Sequence, residues 1–153
     1  MKNKTIVLGL GNPLMGDEGV GIYIINEFLK RKNDFTQAEF VDAGTSGMSI
    51  LHLLEGYEKA VFIDCAVMQT TPGTIKKFSP ADIESVKNLM HYSLHEADLL
   101  KIIDLARQLG QCPTDVVIFG IEPQTIGPQS KLSQTLGDNI QDYFATITAE
   151  LTE

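Results

Sequence analysis

No apolar run in this 153-residue chain is long enough to span a bilayer, and no signal-peptide pattern opens it. The expected location is therefore the cytoplasm. Basic residues are scarce: 12 Lys and Arg stand against 20 Asp and Glu, for a net charge of −8. Nucleic-acid binding needs a basic face, and so does an anionic membrane surface. Neither is an expected partner. The two cysteines, Cys65 and Cys112, lie far apart in sequence with no CxxC spacing. They read as free thiols in a reducing compartment, not as a disulfide or a zinc knuckle. Repeats, low-complexity stretches and interdomain linkers are also lacking. At 43% hydrophobic and 21% charged, the chain reads as one globular domain over 1–153. Nothing suggests an obligate dimer, and a monomer is expected.

Strand and helix patterns alternate. Thr5-Ile6-Val7-Leu8, Ala38–Asp42, Ala60–Ala66 and Asp115–Ile121 read as strands. The third is apolar throughout until Asp64, as in a strand covered on both faces. Ile75–Phe78 carries two lysines and reads as an edge strand. Helical spacing follows the first strand at Ile22–Leu29, continues at Met48–Leu54 and Ala97–Leu109, and closes the chain as one helix over Ser133–Leu151. Ser79-Pro80-Ala81-Asp82 has the Ser cap and first-position Pro of a helix start, and Gly110 ends the helix before it. This order predicts an α/β fold: three layers, α/β/α, around a mostly parallel twisted sheet of about five strands. Glu18, Gly44–Ser46, Asp64 and Glu122 all follow carboxyl ends of strands, the edge where such folds bind ligands.

Familiar motifs fail one by one. Gly9-Leu10-Gly11-Asn12-Pro13-Leu14 starts like a dinucleotide fingerprint, but Leu14 stands where a small residue is needed, and Pro13 removes a backbone donor. There is no Walker A sequence. Gly44-Thr45-Ser46-Gly47 lacks the spacing of a nucleophile elbow. His95-Glu96 begins an HExxH pattern that Leu99 breaks. The turn after the first strand carries Asp17 and Glu18, which repel anions and attract cations. Asp64 closes an apolar strand, where it either accepts loop N–H groups or meets a cation. Glu18 reads either as an acid favouring a helix dipole or as a ligand, and Asp17 as an N-cap. His95, placed before a helix, is a cap, a surface residue or a ligand. Together Glu18, Asp64 and His95 make a plausible open three-ligand site for a divalent first-row metal.

Five segments in order, Gly11-Asn12-Pro13-Leu14-Met15-Gly16-Asp17-Glu18-Gly19-Val20-Gly21, Asp42-Ala43-Gly44-Thr45-Ser46-Gly47, Ile63-Asp64-Cys65-Ala66, Ser93-Leu94-His95 and Gly120-Ile121-Glu122-Pro123, resemble the hydrogenase maturation protease family. The resemblance implies an endopeptidase that removes the C-terminal extension of a nickel–iron (NiFe) hydrogenase large-subunit precursor after nickel insertion. It maps the family's metal ligands onto Glu18, Asp64 and His95, which are expected to recognise nickel carried by the substrate and to serve catalysis. Zinc or another divalent ion is a possible substitute. Ala43 departs from the Gly common at its position. Gly44, Thr45, Ser46 and Gly47 are expected to bind the substrate tail. A non-cleaving nickel-site binding module or chaperone for the same precursor is the alternative. Peptidyl-tRNA hydrolases share the opening Gly-Leu-Gly-Asn-Pro, but their Thr-Arg-His-Asn segment is missing here.

Overall fold

Strands β1 (Thr5–Leu10), β2 (Ala38–Gly44), β3 (Lys59–Cys65), β4 (Ile75–Phe78) and β5 (Asp115–Ile121) hydrogen-bond into a single sheet in the order β2-β1-β3-β5-β4. The computed structural model describes residues 4–45, 47–82 and 94–152, without the side chains of 94–98. β1 pairs in parallel with β2 and β3, and β3 with β5; β4 runs antiparallel along β5 at the edge. The sequence pattern predicted this architecture, including the lysine-bearing edge strand.

Alternation sorts the central strands onto two cores. Ile6, Leu8, Ala60, Phe62, Val116 and Ile118 face one side, where α2 (Ile50–Leu54) and α3 (Leu94–Gln108) cover them through Leu54, Leu99, Ile103 and Ala106. Val7, Val61, Ile63, Val117 and Phe119 face the other, beneath α1 (Val20–Lys30), α4 (Gln134–Asp138) and α5 (Ile140–Leu151). Burying one such aliphatic side chain contributes roughly 1.5–3 kcal/mol, so the two layers supply most of the driving force. α1 shows this most directly. Val20, Ile22, Ile24 and Ile25 are β-branched and poor helix formers, yet all are buried. Packing, not propensity, makes this segment helical. Phe28 of α1 stacks on Phe40 at 4.8 Å and on Phe144 at 4.4 Å, tying β2 and α5 to it.

Two helix limits differ from the sequence pattern. The predicted helix over Ser133–Leu151 is two, broken at Asn139 (φ −102°, ψ 4°). The Asn139 amide donates to the Thr135 carbonyl at 2.8 Å, which is how a short polar side chain competes with the helical ladder. α3 begins at Leu94, so His95 lies inside its first turn rather than ahead of it. The α3 stop is as expected: Gly110 adopts φ 69°, and Gly110 N–H and Gln111 N–H close on the Arg107 and Ala106 carbonyls. Ser79 and Asp82 cap each other reciprocally, Ser79 N–H to Asp82 Oδ2 at 2.9 Å and Asp82 N–H to Ser79 Oγ at 3.2 Å.

What positions the site is the seam between β1 and β3. From β1 the chain turns through α1 toward β2, while β3 leads away toward β5, so the two carboxyl ends diverge there. That is the switch point at which open α/β sheets bind ligands. The start of α1 is pressed onto the seam. A Cβ at Gly21 would stand 2.3 Å from the Ile63 carbonyl oxygen and 2.5 Å from that of Leu10, so only glycine allows this approach. Gly21→Ala is expected to cost about 3 kcal/mol by forcing α1 off the sheet. Gly137 in α4 has nothing within 4 Å of the same position, and Gly137→Ala is expected to gain about 0.5–1 kcal/mol. Urea midpoints for the two variants, moving in opposite directions, check the assignment.

Candidate active site

Asp64 is the penultimate residue of β3 and is fully buried. Its Oδ1 accepts the Cys65 N–H at 2.8 Å. Its Oδ2, also buried, has no hydrogen-bond partner among the described residues. Burial pushes its carboxyl up from 3.8 to about 8; the Cys65 N–H opposes the rise and the negative charge of Glu18 adds to it. The loop-cap alternative for Asp64 is met by one oxygen only, and the other has no partner among the described residues.

Glu18 reaches this place from β1. A 3-10 turn over Asp17–Gly19 carries it into the crevice, half-exposed, near enough to Asp64 to act on its charge. The turn is built by close backbone contact. Gly11 has φ 124°, and a Cβ there would lie 2.0 Å from the Glu18 carbonyl oxygen. Asn12 accepts the Leu14 N–H at 3.0 Å through its side chain. The glycines thus fold the turn onto itself and do not line a phosphate cradle.

Asp17 corrects the sequence reading. It caps nothing: Gly16 occupies the cap position. Its fully buried carboxylate instead accepts the N–H groups of Gln124 (2.9 Å), Thr125 (2.9 Å) and Ser133 (2.7 Å) and the Ser133 hydroxyl (2.8 Å). The segment after β5 is thereby clasped to the turn that presents Glu18. Gly16 N–H to the Gln129 carbonyl at 2.8 Å and Asp17 N–H to that of Thr125 at 3.0 Å complete the clasp. A second buried carboxylate that sequence reasoning left aside, Glu122, follows β5 directly and accepts from Met68 N–H (2.7 Å), Thr70 N–H (3.0 Å) and the Thr70 hydroxyl (2.9 Å). It fixes the loop that follows Asp64. No local pattern betrays either clasp, because the partners lie 52 to 116 residues away.

His95 sits in the first turn of α3, and its side chain lies outside the described residues. α3 hands the chain to the amino end of β5 through the Gly110 stop, so its own start lies at the carboxyl edge of the sheet, the edge of Glu18 and Asp64. Among the described residues no three His, Cys, Asp or Glu side chains form a ready metal cage; Glu18 and Asp64 bring two carboxyl groups near one another. The donor chemistry fits a divalent cation: paired carboxylates, one with an unpartnered buried oxygen. Of the expected tail-binding turn, Gly44 ends β2 and Thr45 and Gly47 follow it, while Ser46 lies outside the described residues. A register shift between Gly9 and Leu10 sets Gly44 opposite Leu10, and the Gly11 N–H donates to the Gly44 carbonyl at 2.9 Å. This turn therefore adjoins the Glu18 turn.

A family model, hydrogenase maturation protease, matches residues 22–150. The hydrogenase expression/formation protein HupD of Bradyrhizobium diazoefficiens is 30% identical over 121 residues, 79% of this chain and 63% of its own length. The chain thus spans less than two thirds of that relative. The hydrogenase 2 maturation protease of Escherichia coli is 25% identical over 151 residues, 98% of this chain and 92% of that one. Among solved structures, the hydrogenase-maturating endopeptidase HybD from E. coli superposes with a TM-score of 0.83 at 24% identity, over 99% of this chain and 93% of that chain. The nickel–iron hydrogenase maturation protease HybD from Thermococcus kodakarensis gives 0.80 at 22% identity, over all of both chains. These likenesses establish the fold.

Two predictions follow from the carboxylates. Asp64 keeps in the folded chain a proton that the unfolded chain has lost, so it subtracts stability as pH rises from its ordinary 3.8 toward about 8, by at most roughly 1.4 kcal/mol per pH unit. Asp64→Asn in chelator-treated protein is expected to be more stable than the parent, with urea midpoints that diverge across that window and run parallel above it. Asp17→Ala orphans buried N–H groups and is expected to cost about 3–5 kcal/mol. Hydrogen exchange should quicken across 124–133 before it does in the central strands.

Proposed function

The chain belongs to the hydrogenase maturation protease family, and we propose that it is an endopeptidase removing the C-terminal extension of a nickel–iron hydrogenase large-subunit precursor once nickel is in place. The observation that carries this reading is the unpartnered, buried Oδ2 of Asp64 beside the Glu18 turn. A buried acid so placed is costly to the fold unless a cation meets it. The nickel of the precursor, still held by its own thiolates, is that cation, and Glu18, Asp64 and the His95 imidazole complete its coordination. Cleavage is then conditional on metal insertion, because without the ion the buried Asp64 keeps its proton and offers no charge at the recognition point. Bound there, the metal supplies Lewis acidity toward a carbonyl or a water. The chain's own residues orient it, and the Asp17 and Glu122 clasps hold the loops that present them.

Protein recognition suits the surroundings. Exposed Leu14 lies two residues before Gly16, which bridges to exposed Ile126, and exposed Met48 follows Gly47. Large apolar side chains gathered at one edge suit a protein partner. No helix among the described residues is long and apolar enough to cross a membrane.

Mass spectrometry of the nickel-loaded precursor before and after incubation with chelator-treated protein tests the reading. Loss of the tail without added metal is the expected result; activity only after zinc is restored would assign the ion to the protease. A precursor that is bound but never shortened would instead establish the non-cleaving module. Asp64→Asn and Glu18→Gln are each expected to lower the processing rate at least a hundredfold while the fold stays intact by circular dichroism.

A further inference from the structure

Gln69 is the one non-glycine residue with positive φ among the described residues, at 60°. This region suits glycine, and Asn or Asp among the rest, so a Gln there is strained. The cause is Glu122. Its Oε1 draws in the N–H groups on both sides of Gln69, from Met68 and Thr70, and two convergent N–H groups around one anion require a left-handed residue in the arc. Glycine would satisfy that arc at less cost. The Gln69 side chain does not repay the strain by packing, because it is exposed while Met68 beside it is buried. A strained backbone under an unpacked side chain gives the fold nothing that glycine would not supply better, and such outliers gather at functional sites.

The place matters as much as the strain. The loop leaves β3 at Cys65 and passes over β5, since the Ala66 N–H donates to the Ile121 carbonyl at 2.9 Å and Gly120 lies beneath Ala66 and Met68. Gln69 therefore stands on the β5 side of Asp64, whereas Gly44–Gly47 stands on the β2 side. Three strand spacings separate these sides, roughly 14 Å, which about four residues of extended peptide cross.

We propose that Gln69 is a substrate-positioning residue, whose carboxamide hydrogen-bonds a backbone amide of the precursor tail as the tail crosses the carboxyl edge from Gly44–Gly47 over Asp64. A carboxamide offers a donor and an acceptor without charge, which matches a peptide unit and adds no repulsion beside Glu18 and Asp64. The proposal rests on the proteolytic reading above and adds the path and polarity of the bound tail.

The test compares the parent protein with Gln69→Gly and Gln69→Asn, using the nickel-loaded precursor and the same precursor with its tail deleted. Gln69→Gly should raise the urea midpoint, because strain is relieved, and should raise KM for tail release at least fivefold with a smaller change in kcat. Gln69→Asn, which keeps the carboxamide and tolerates positive φ, should recover part of the loss. Binding of the intact precursor should weaken in the Gly variant, while binding of the tail-deleted precursor should not change. A Gly variant that processes with the parent KM, or that loses affinity equally for the tail-deleted form, overturns the proposal while the protease reading stands. A parent protein that releases no tail overturns both.

Discussion

An acid sealed between parallel strands with one oxygen unanswered is the constraint around which this edge of the molecule is arranged. Asp64 is fully buried and next to the last position of β3, where an apolar residue would serve the fold better. Its neighbours do not relieve it: the Cys65 N–H meets one oxygen, and the charge of Glu18 that acts on it is negative. Desolvation and like charge both act against ionisation, so the site is unfavourable until something positive enters. On the proposed reading, stability and function pull in opposite directions at this residue, as they commonly do where a ligand is to be bound tightly.

The contrast with the other buried carboxylates sharpens that point. Asp17 gathers four donors and Glu122 three, and Glu150 is met by Lys59 and Lys77. Burial works against the Glu150 charge, and the hydrogen bonds from the two lysines outweigh it, leaving its carboxyl below the ordinary range. These three are held by donors or cations and act as fasteners. Asp64 alone among the named buried acids has a bare buried oxygen. Since a charged group without partners is selected against in a core, saturation elsewhere marks the unsaturated one as the group with work outside the fold.

Legibility from sequence followed range. Continuous apolar runs named β1, β3 and β5, lysines in Ile75–Phe78 named the edge strand, and Gly110 named the α3 stop, because each signal is local. Glu18 and Asp64 were legible as a pair because strands in an alternating pattern send their carboxyl ends to one edge. What stayed hidden depended on partners distant along the chain. Asp17 resembled a cap because capping is the commonest local use of an Asp before a helix, while its actual donors come from 124–133. Gln69 carried no signal, since its conformation is imposed by Glu122 from another strand. Asn139 broke a helix that apolar spacing alone would have continued, because its amide found a carbonyl one turn back.

The clasps also explain how loops can present ligands with defined geometry. Connecting segments are ordinarily the least fixed parts of a domain, and a metal site tolerates displacements of only about half an ångström. Here the Glu18 turn is bound on one side by glycine contacts to β1 and on the other by Asp17 to the segment after β5. The loop after Asp64 is bound by Glu122. Each functional carboxylate therefore has a structural carboxylate close by in the architecture, buried, neutralised by N–H groups, and holding a neighbouring segment still. Exchanging those segments for longer or more flexible ones would leave Glu18 and Asp64 in the sequence but remove the fixed geometry that the proposed shared ion requires.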